Sequence, residues 1–102
     1  MTENQTTTRV HIIVSGSVQG VGFRVFAQNL AMEYTLTGYV RNSKDAVEIE
    51  AQGSSPAIDL FLDNLKYKAP RAALIQSVDV RYIDVLPGDN DDFKILNTIH
   101  EG

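Results

Sequence analysis

Between Arg9 and Ser15 the side chains alternate, with Val10, Ile12 and Val14 on one side and Arg9, His11 and Ile13 on the other. That period of two predicts a first strand over about 9–15, with His11 on its solvent-facing side. After a glycine-rich break, Phe23, Phe26, Ala27, Leu30, Ala31 and Tyr34 recur at helical spacing. The stripe predicts a helix over about 23–34 that packs on a sheet. Thr37 to Asn42, with Tyr39 and Val40, reads as a second strand. A short turn, Ser43-Lys44-Asp45, leads to a third over Ala46–Gln52, where Val47, Ile49 and Ala51 alternate with Glu48 and Glu50. Gly53-Ser54-Ser55-Pro56 then punctuates the chain, with Ser55 as the expected N-cap and Pro56 at the first helical position. Ile58, Phe61, Leu62 and Leu65 give the second helix a core face, and Asp59 and Asp63 lie outside it. Lys66, Lys68 and Arg71 sit at its carbonyl end, where positive charge is favoured. A fourth strand over about 75–85 carries Val78, Val80 and Tyr82 on one face. Ile83 and Val85 take the opposite phase, which predicts a bulge or the strand end. Pro87 to Asp92 reads as a turn, without the spaced ligands of a calcium loop, and Phe93 to Leu96 as a short last strand.

The order β-α-β-β-α-β with a short extra strand predicts an α+β, ferredoxin-like sandwich: an antiparallel sheet with two helices on one face. In that arrangement the first and second strands run the same way with the third between them. Their carboxyl ends share one edge of the sheet, about 10 Å apart at ~4.8 Å per strand. With 102 residues the chain is one domain, expected over 9–97, with a mobile tail at 1–8 and a second tail at 98–102 that carries His100. No apolar run reaches membrane-spanning length, and the polar amino terminus lacks a signal-peptide pattern, so a cytoplasmic location and no membrane partner are expected. The absence of cysteine excludes disulfides and thiolate chemistry. A net charge of −4 argues against nucleic acid as a partner and repels anionic substrates, so any phosphate site must be locally positive.

One stretch meets that demand. Gly16-Ser17-Val18-Gln19-Gly20-Val21-Gly22-Phe23-Arg24 joins the first strand to the first helix. Its glycines permit positive φ, and N–H groups gathered at a helix start form a concave anion site. Arg24 adds a permanent, fork-shaped positive charge suited to phosphate oxygens. A Walker A loop is excluded, because Gly22-Phe23-Arg24 stands where lysine and a hydroxyl are required. A dinucleotide fingerprint starting at Gly20 is excluded by Val25. The plain alternative is a turn that only connects strand to helix. Glu48 and Glu50 could be imagined as an acid/base pair, but alternation on a half-exposed strand explains them.

Gly16-x-Val18-Gln19-Gly20-Val21-Gly22-Phe23-Arg24, followed by Gly38-Tyr39-Val40-Arg41-Asn42, resembles the acylphosphatase family over about residues 9–96. Ser17 departs from the pattern, since many relatives carry lysine or arginine there, and removes a positive charge near the loop. The resemblance implies hydrolysis of a small acyl phosphate to carboxylate and phosphate by a monomer without cofactor or metal. It implies Arg24 and Asn42 as catalytic residues. The backbone N–H groups of Gln19, Gly20, Val21, Gly22, Phe23 and Arg24 would hold the phosphate, with inorganic phosphate or sulfate as competitive anions. Asn42 would orient the attacking water. An amide is a poor base, but an acyl phosphate needs none, because its carboxylate leaving group departs unaided.

Two other readings start from the same features. RNA-recognition modules share the fold but expose aromatic and basic residues on the central strands, where this chain has Glu48 and Glu50. A non-catalytic acyl-phosphate or carbamoyl-phosphate binding module would resemble the acylphosphatase-like domain of hydrogenase-maturation carbamoyltransferases. Such a domain is normally fused to others, which favours the free enzyme here. A degenerate domain would keep the loop and lack turnover.

Overall fold

Val10, Ile12 and Val14 are fully buried, as are Val47, Ile49 and Ala51 opposite them, so the alternation of both segments is the alternation of a one-sided sheet. The computed structural model describes residues 6–87 and 92–96. Strand β1 spans Thr7–Ser17, helix α1 Phe23–Glu33, β2 Thr37–Ser43, β3 Ala46–Ser54, helix α2 Ser55–Tyr67, β4 Leu74–Ile83 and β5 Phe93–Ile95. The strands lie in the order β4-β1-β3-β2-β5. β1 pairs antiparallel with β3 and β4, and β2 pairs antiparallel with β3. β5 runs parallel to β2, which makes the sheet mixed where an antiparallel one was expected. The parallel strand is a three-residue edge strand, held from α1 by Gln28 Nε2 donating to the Phe93 carbonyl at 2.9 Å.

Both helices cover the same face. Phe23, Ala27, Leu30 and Ala31 of α1 join Ile58, Phe61 and Leu65 of α2 over the β1 and β3 valines and isoleucines in one core. Phe61 reaches Phe93 with ring centroids 6.3 Å apart, so the core continues under β5. Asn64 Nδ2 donates to the Tyr34 hydroxyl at 2.7 Å and ties the end of α1 to α2. Among the described residues no helix is long and apolar enough to cross a membrane.

Several boundaries differ from the sequence expectation. β1 begins at Thr7 because β3 runs on to Ser54 and pairs with it, Thr7 opposite Ser54 and Thr8 opposite Gly53. Thr7 and Thr8 are therefore strand, not tail; residues 1–5 and 97–102 lie outside the described residues, as does most of the turn before β5. Ser54, not Ser55, is the N-cap of α2: its side chain accepts from the Ala57 N–H at 3.3 Å. Ser55 is drawn instead toward β1, its N–H donating to the Thr6 carbonyl at 2.9 Å and its hydroxyl lying 2.5 Å from that of Thr8. The phase change at Ile83 marks the end of β4, not a bulge.

The face away from the helices carries a polar network where a solvated surface was expected. His11 Nε2 donates to Glu48 Oε2 at 2.8 Å, and Arg41 Nε donates to Glu48 Oε1 at 2.8 Å. Arg9, 7% exposed, grips Glu50 through Nε and Nη2 at 3.0 and 2.6 Å and Gln52 through Nη1 at 3.2 Å. Tyr39 bridges the two glutamates, and the Arg41 guanidinium lies 5.2 Å from its ring centroid. Burial first, then the charges of Glu48 and Glu50, push the Tyr39 phenol up to about 12. For Glu48, burial acts to raise the pKa, but the hydrogen bonds from His11 and Arg41 outweigh it and hold the carboxyl below its ordinary value.

A depressed carboxylate stabilises the fold above its unfolded value, about 4.3, and that contribution is lost as pH falls through the lower folded value. Glu48→Gln removes this titration. Urea midpoints measured from pH 7 to pH 3 should fall less steeply below about pH 4.3 in the variant than in the parent. Parallel curves would show that Glu48 does not drive acid destabilisation.

Candidate active site

Two chain segments meet at the carboxyl ends of β1 and β2. β1 ends in the glycine loop, which opens α1; β3 separates the two strands, as the order requires. Val18 anchors the loop from below, 1% exposed within the core. Gly20 and Gly22 have φ of 77° and 80°, the left-handed region that costs a residue with a Cβ. A Cβ at either would meet nothing within 4 Å, so glycine is required there for backbone conformation and not for space. Gly22 is also the N-cap of α1, where no side chain accepts a hydrogen bond and no acidic residue occupies the first turn. Within α1 itself, nothing compensates the positive end of the helix.

In β2, Val40 points into the core and Asn42, two residues on, shares its side of the sheet. Tyr39 and Arg41 of the same sequence block turn to the opposite face and belong to the polar network there. Val18, Gly20, Gly22, Phe23, Arg24, Val25, Asn42 and Ile95 line one cavity of about 160 Å³. Among the described residues, the Arg24 side chain makes no ion pair or hydrogen bond, and Asn42 Oδ1 is buried without a hydrogen-bond partner. A buried amide oxygen left unpaired costs free energy, about 1–3 kcal/mol, and Asn42 lines this cavity together with Arg24.

Of the residues expected at the site, Gly20, Gly22, Phe23, Arg24 and Asn42 line this cavity, whereas Gln19 and Val21 do not. Gln19 directs its side chain to the β2–β3 turn, donating from Nε2 to the carbonyls of Lys44 at 2.6 Å and Ala46 at 2.8 Å. Ile95, Val25 and Val18 line the cavity but were not among the expected site residues. The second had a visible signal, an apolar residue in the first turn of α1 off the core stripe, and it is 53% exposed. Ile95 arrives through the parallel pairing of β5, which no local pattern specifies. His11, Glu48 and Glu50 are all on the far side of the sheet and are spent on one another and on arginines.

A second hollow of about 190 Å³ opens on that far face, lined in part by Arg9, Tyr39, Gln52 and Lys94. Its Arg9 is engaged by Glu50 and Gln52 through three of its N–H groups, and Gln52 also holds the Leu86 backbone from both sides, at 3.0 and 2.9 Å.

Comparison with known proteins identifies the family. The acylphosphatase family model matches residues 10–95. An acylphosphatase of Geobacillus thermodenitrificans is 45% identical over 89 residues, which cover 86% of this chain and 93% of that protein. The crystal structure of the Bacillus subtilis acylphosphatase superposes with a TM-score of 0.81 at 34% identity, covering 87% of this chain and 98% of the other. Full-length HypF, crystallised in a phosphate- and nucleotide-bound form, matches at a TM-score of 0.86 and 33% identity, covering 94% of this chain but only 13% of HypF. Proteins of that name among the matching sequences are described as carbamoyltransferases. A match along almost the full length of free acylphosphatases, on a fold that brings the glycine loop to the end of β2, places the chain in the acylphosphatase family.

Proposed function

We propose that the chain hydrolyses the carboxyl–phosphate bond of small acyl phosphates by direct in-line attack of water, without metal or cofactor. The observation that carries this reading is the convergence of Arg24, Asn42, Gly20 and Gly22 on one cavity from separate elements. Arg24 and the loop N–H groups of residues 19–24 hold the phosphoryl oxygens and take up charge as it develops on them. Asn42 Oδ1 accepts a hydrogen from the attacking water and turns a lone pair toward phosphorus. The new P–O bond forms as the bond to the acyl oxygen breaks, and its electron pair leaves on the carboxylate. The water's proton ends on phosphate or in solvent. A carboxylate is a weak base, so no general acid is needed at that step. Every group named belongs to one chain, so a monomer suffices.

The cavity wall also supports a preference among acyl groups. Val18, Phe23, Val25 and Ile95 make its remaining wall apolar, which suits a hydrocarbon acyl group better than one needing hydrogen bonds. Likeness to HypF supports a second reading in which the ligand is carbamoyl phosphate. A single assay separates the readings: release of phosphate from benzoyl phosphate, carbamoyl phosphate and p-nitrophenyl phosphate, with and without exhaustive chelation. Benzoyl phosphate should turn over fastest and p-nitrophenyl phosphate, a poorer match for a site without a general acid, slowest, with chelation changing neither. Preference for carbamoyl phosphate would favour the second reading, and activity lost to chelator and restored by a divalent metal would overturn the metal-free mechanism.

A further inference from the structure

Gln19 makes a contact that phosphate binding by its backbone does not explain. Its side-chain amide crosses from the glycine loop to the β2–β3 turn and donates both hydrogens of Nε2, to Lys44 O at 2.6 Å and Ala46 O at 2.8 Å. The turn it reaches starts at Lys44, two residues beyond Asn42. Lys44 is held at φ 55°, a left-handed conformation uncommon for a residue with a Cβ. Such backbone persists where surrounding contacts over-determine it, and the Gln19 amide is one of those contacts. The loop is thus fastened twice, by Val18 in the core and by Gln19 on the turn.

We propose that Gln19 is a positioning residue for hydrolysis: its side chain fixes the glycine loop relative to the end of β2, and so sets the phosphoryl group at the right place for the water held by Asn42. The proposal rests on the reading of Asn42 as the water-orienting group. The amide touches neither phosphate nor water. Its effect therefore falls on alignment between two groups supplied by different elements, to which in-line transfer is sensitive. Phosphate binding depends on the loop and Arg24 alone and does not need the brace.

The experiment uses the full chain with Gln19→Leu, which removes both donors, and Gln19→Glu, which keeps the shape and faces two carbonyls with a carboxylate. Each is measured for kcat on benzoyl phosphate, for the inhibition constant of inorganic phosphate, and for Tm. Each is also combined with Asn42→Ala. We expect kcat to fall about 10- to 100-fold, the range typical of removing a supporting hydrogen-bond partner, while the phosphate inhibition constant of Gln19→Leu changes less than about threefold and Tm changes little. In the Asn42→Ala background, where no water is oriented, Gln19→Leu should cost less than about twofold further. An unchanged kcat overturns the proposal, as does a loss of kcat that multiplies through fully in the double variant. A parallel collapse of kcat, phosphate binding and Tm in both variants also overturns it, since the brace would then be merely structural. If Asn42→Ala by itself turns over at the parental rate, the water-orienting reading fails first; if Asn42→Ala is impaired but the effects are independent, only the role of Gln19 falls.

Discussion

Arg24→Ala should lower kcat/KM on benzoyl phosphate by about 10³ or more, the scale on which a phosphoryl-stabilising arginine acts. The side chain lines the cavity from the first turn of α1 and makes no ion pair among the described residues. In a chain of net charge −4 it is the cation placed at the loop, and Ser17 adds none. The loss should appear in both binding and turnover, because charge on the phosphoryl oxygens is present in the ground state and redistributed in the transition state. Arg24→Lys keeps the charge but not the planar fork, so it should recover only part of either effect. Inhibition by inorganic phosphate is the direct readout. It should be competitive in the parent and weakened in both variants. A parental phosphate inhibition constant in Arg24→Ala would place the anion site elsewhere.

The elements were legible where one period runs through their central residues. Val10, Ile12 and Val14 cannot all be buried except in a strand, and the stripe from Phe23 to Ala31 cannot form one face except in a helix. What sequence could not settle were choices made by partners distant in the chain. Ser54 and Ser55 are equally good caps by chemistry; Ser54 becomes the cap because Ser55 is engaged by Thr6 and Thr8. Thr7 and Thr8 carry no apolar anchor and read as tail, yet the extension of β3 pairs them. The face of His11 followed from alternation, but its bond to Glu48 depends on the β1–β3 register, which sets His11 opposite Glu50 and Glu48 opposite Ile13. The candidate site divides in the same way. The glycine loop and Arg24 are contiguous and carry their chemistry in the open. The Gln19 amide meets carbonyls 25 and 27 residues away, and Ile95 reaches the cavity only through β5.

Asn42→Ala should reduce kcat by about 10²–10³, the cost of losing one preorganised polar group at a reacting centre, and leave phosphate inhibition nearly unchanged. The separation follows from placement. Asn42 stands at the end of β2, across from the loop, with Oδ1 buried in the described structure and paired to nothing there. An amide oxygen so placed can accept a hydrogen from water but repels phosphate oxygens, so removing it should not loosen the anion. Stability should be maintained or slightly raised, because alanine relieves an unpaired buried acceptor and keeps the β2–β3 backbone pairing at Asn42 opposite Val47. Asn42→Asp provides the contrasting case: the acceptor remains, but a negative charge now faces the phosphoryl group. It should raise the phosphate inhibition constant and lower kcat together. Measuring kcat, the phosphate inhibition constant and Tm for both variants gives the outcome. If Asn42→Ala weakens phosphate as strongly as it slows turnover, Asn42 binds the anion and the water must be oriented by another group.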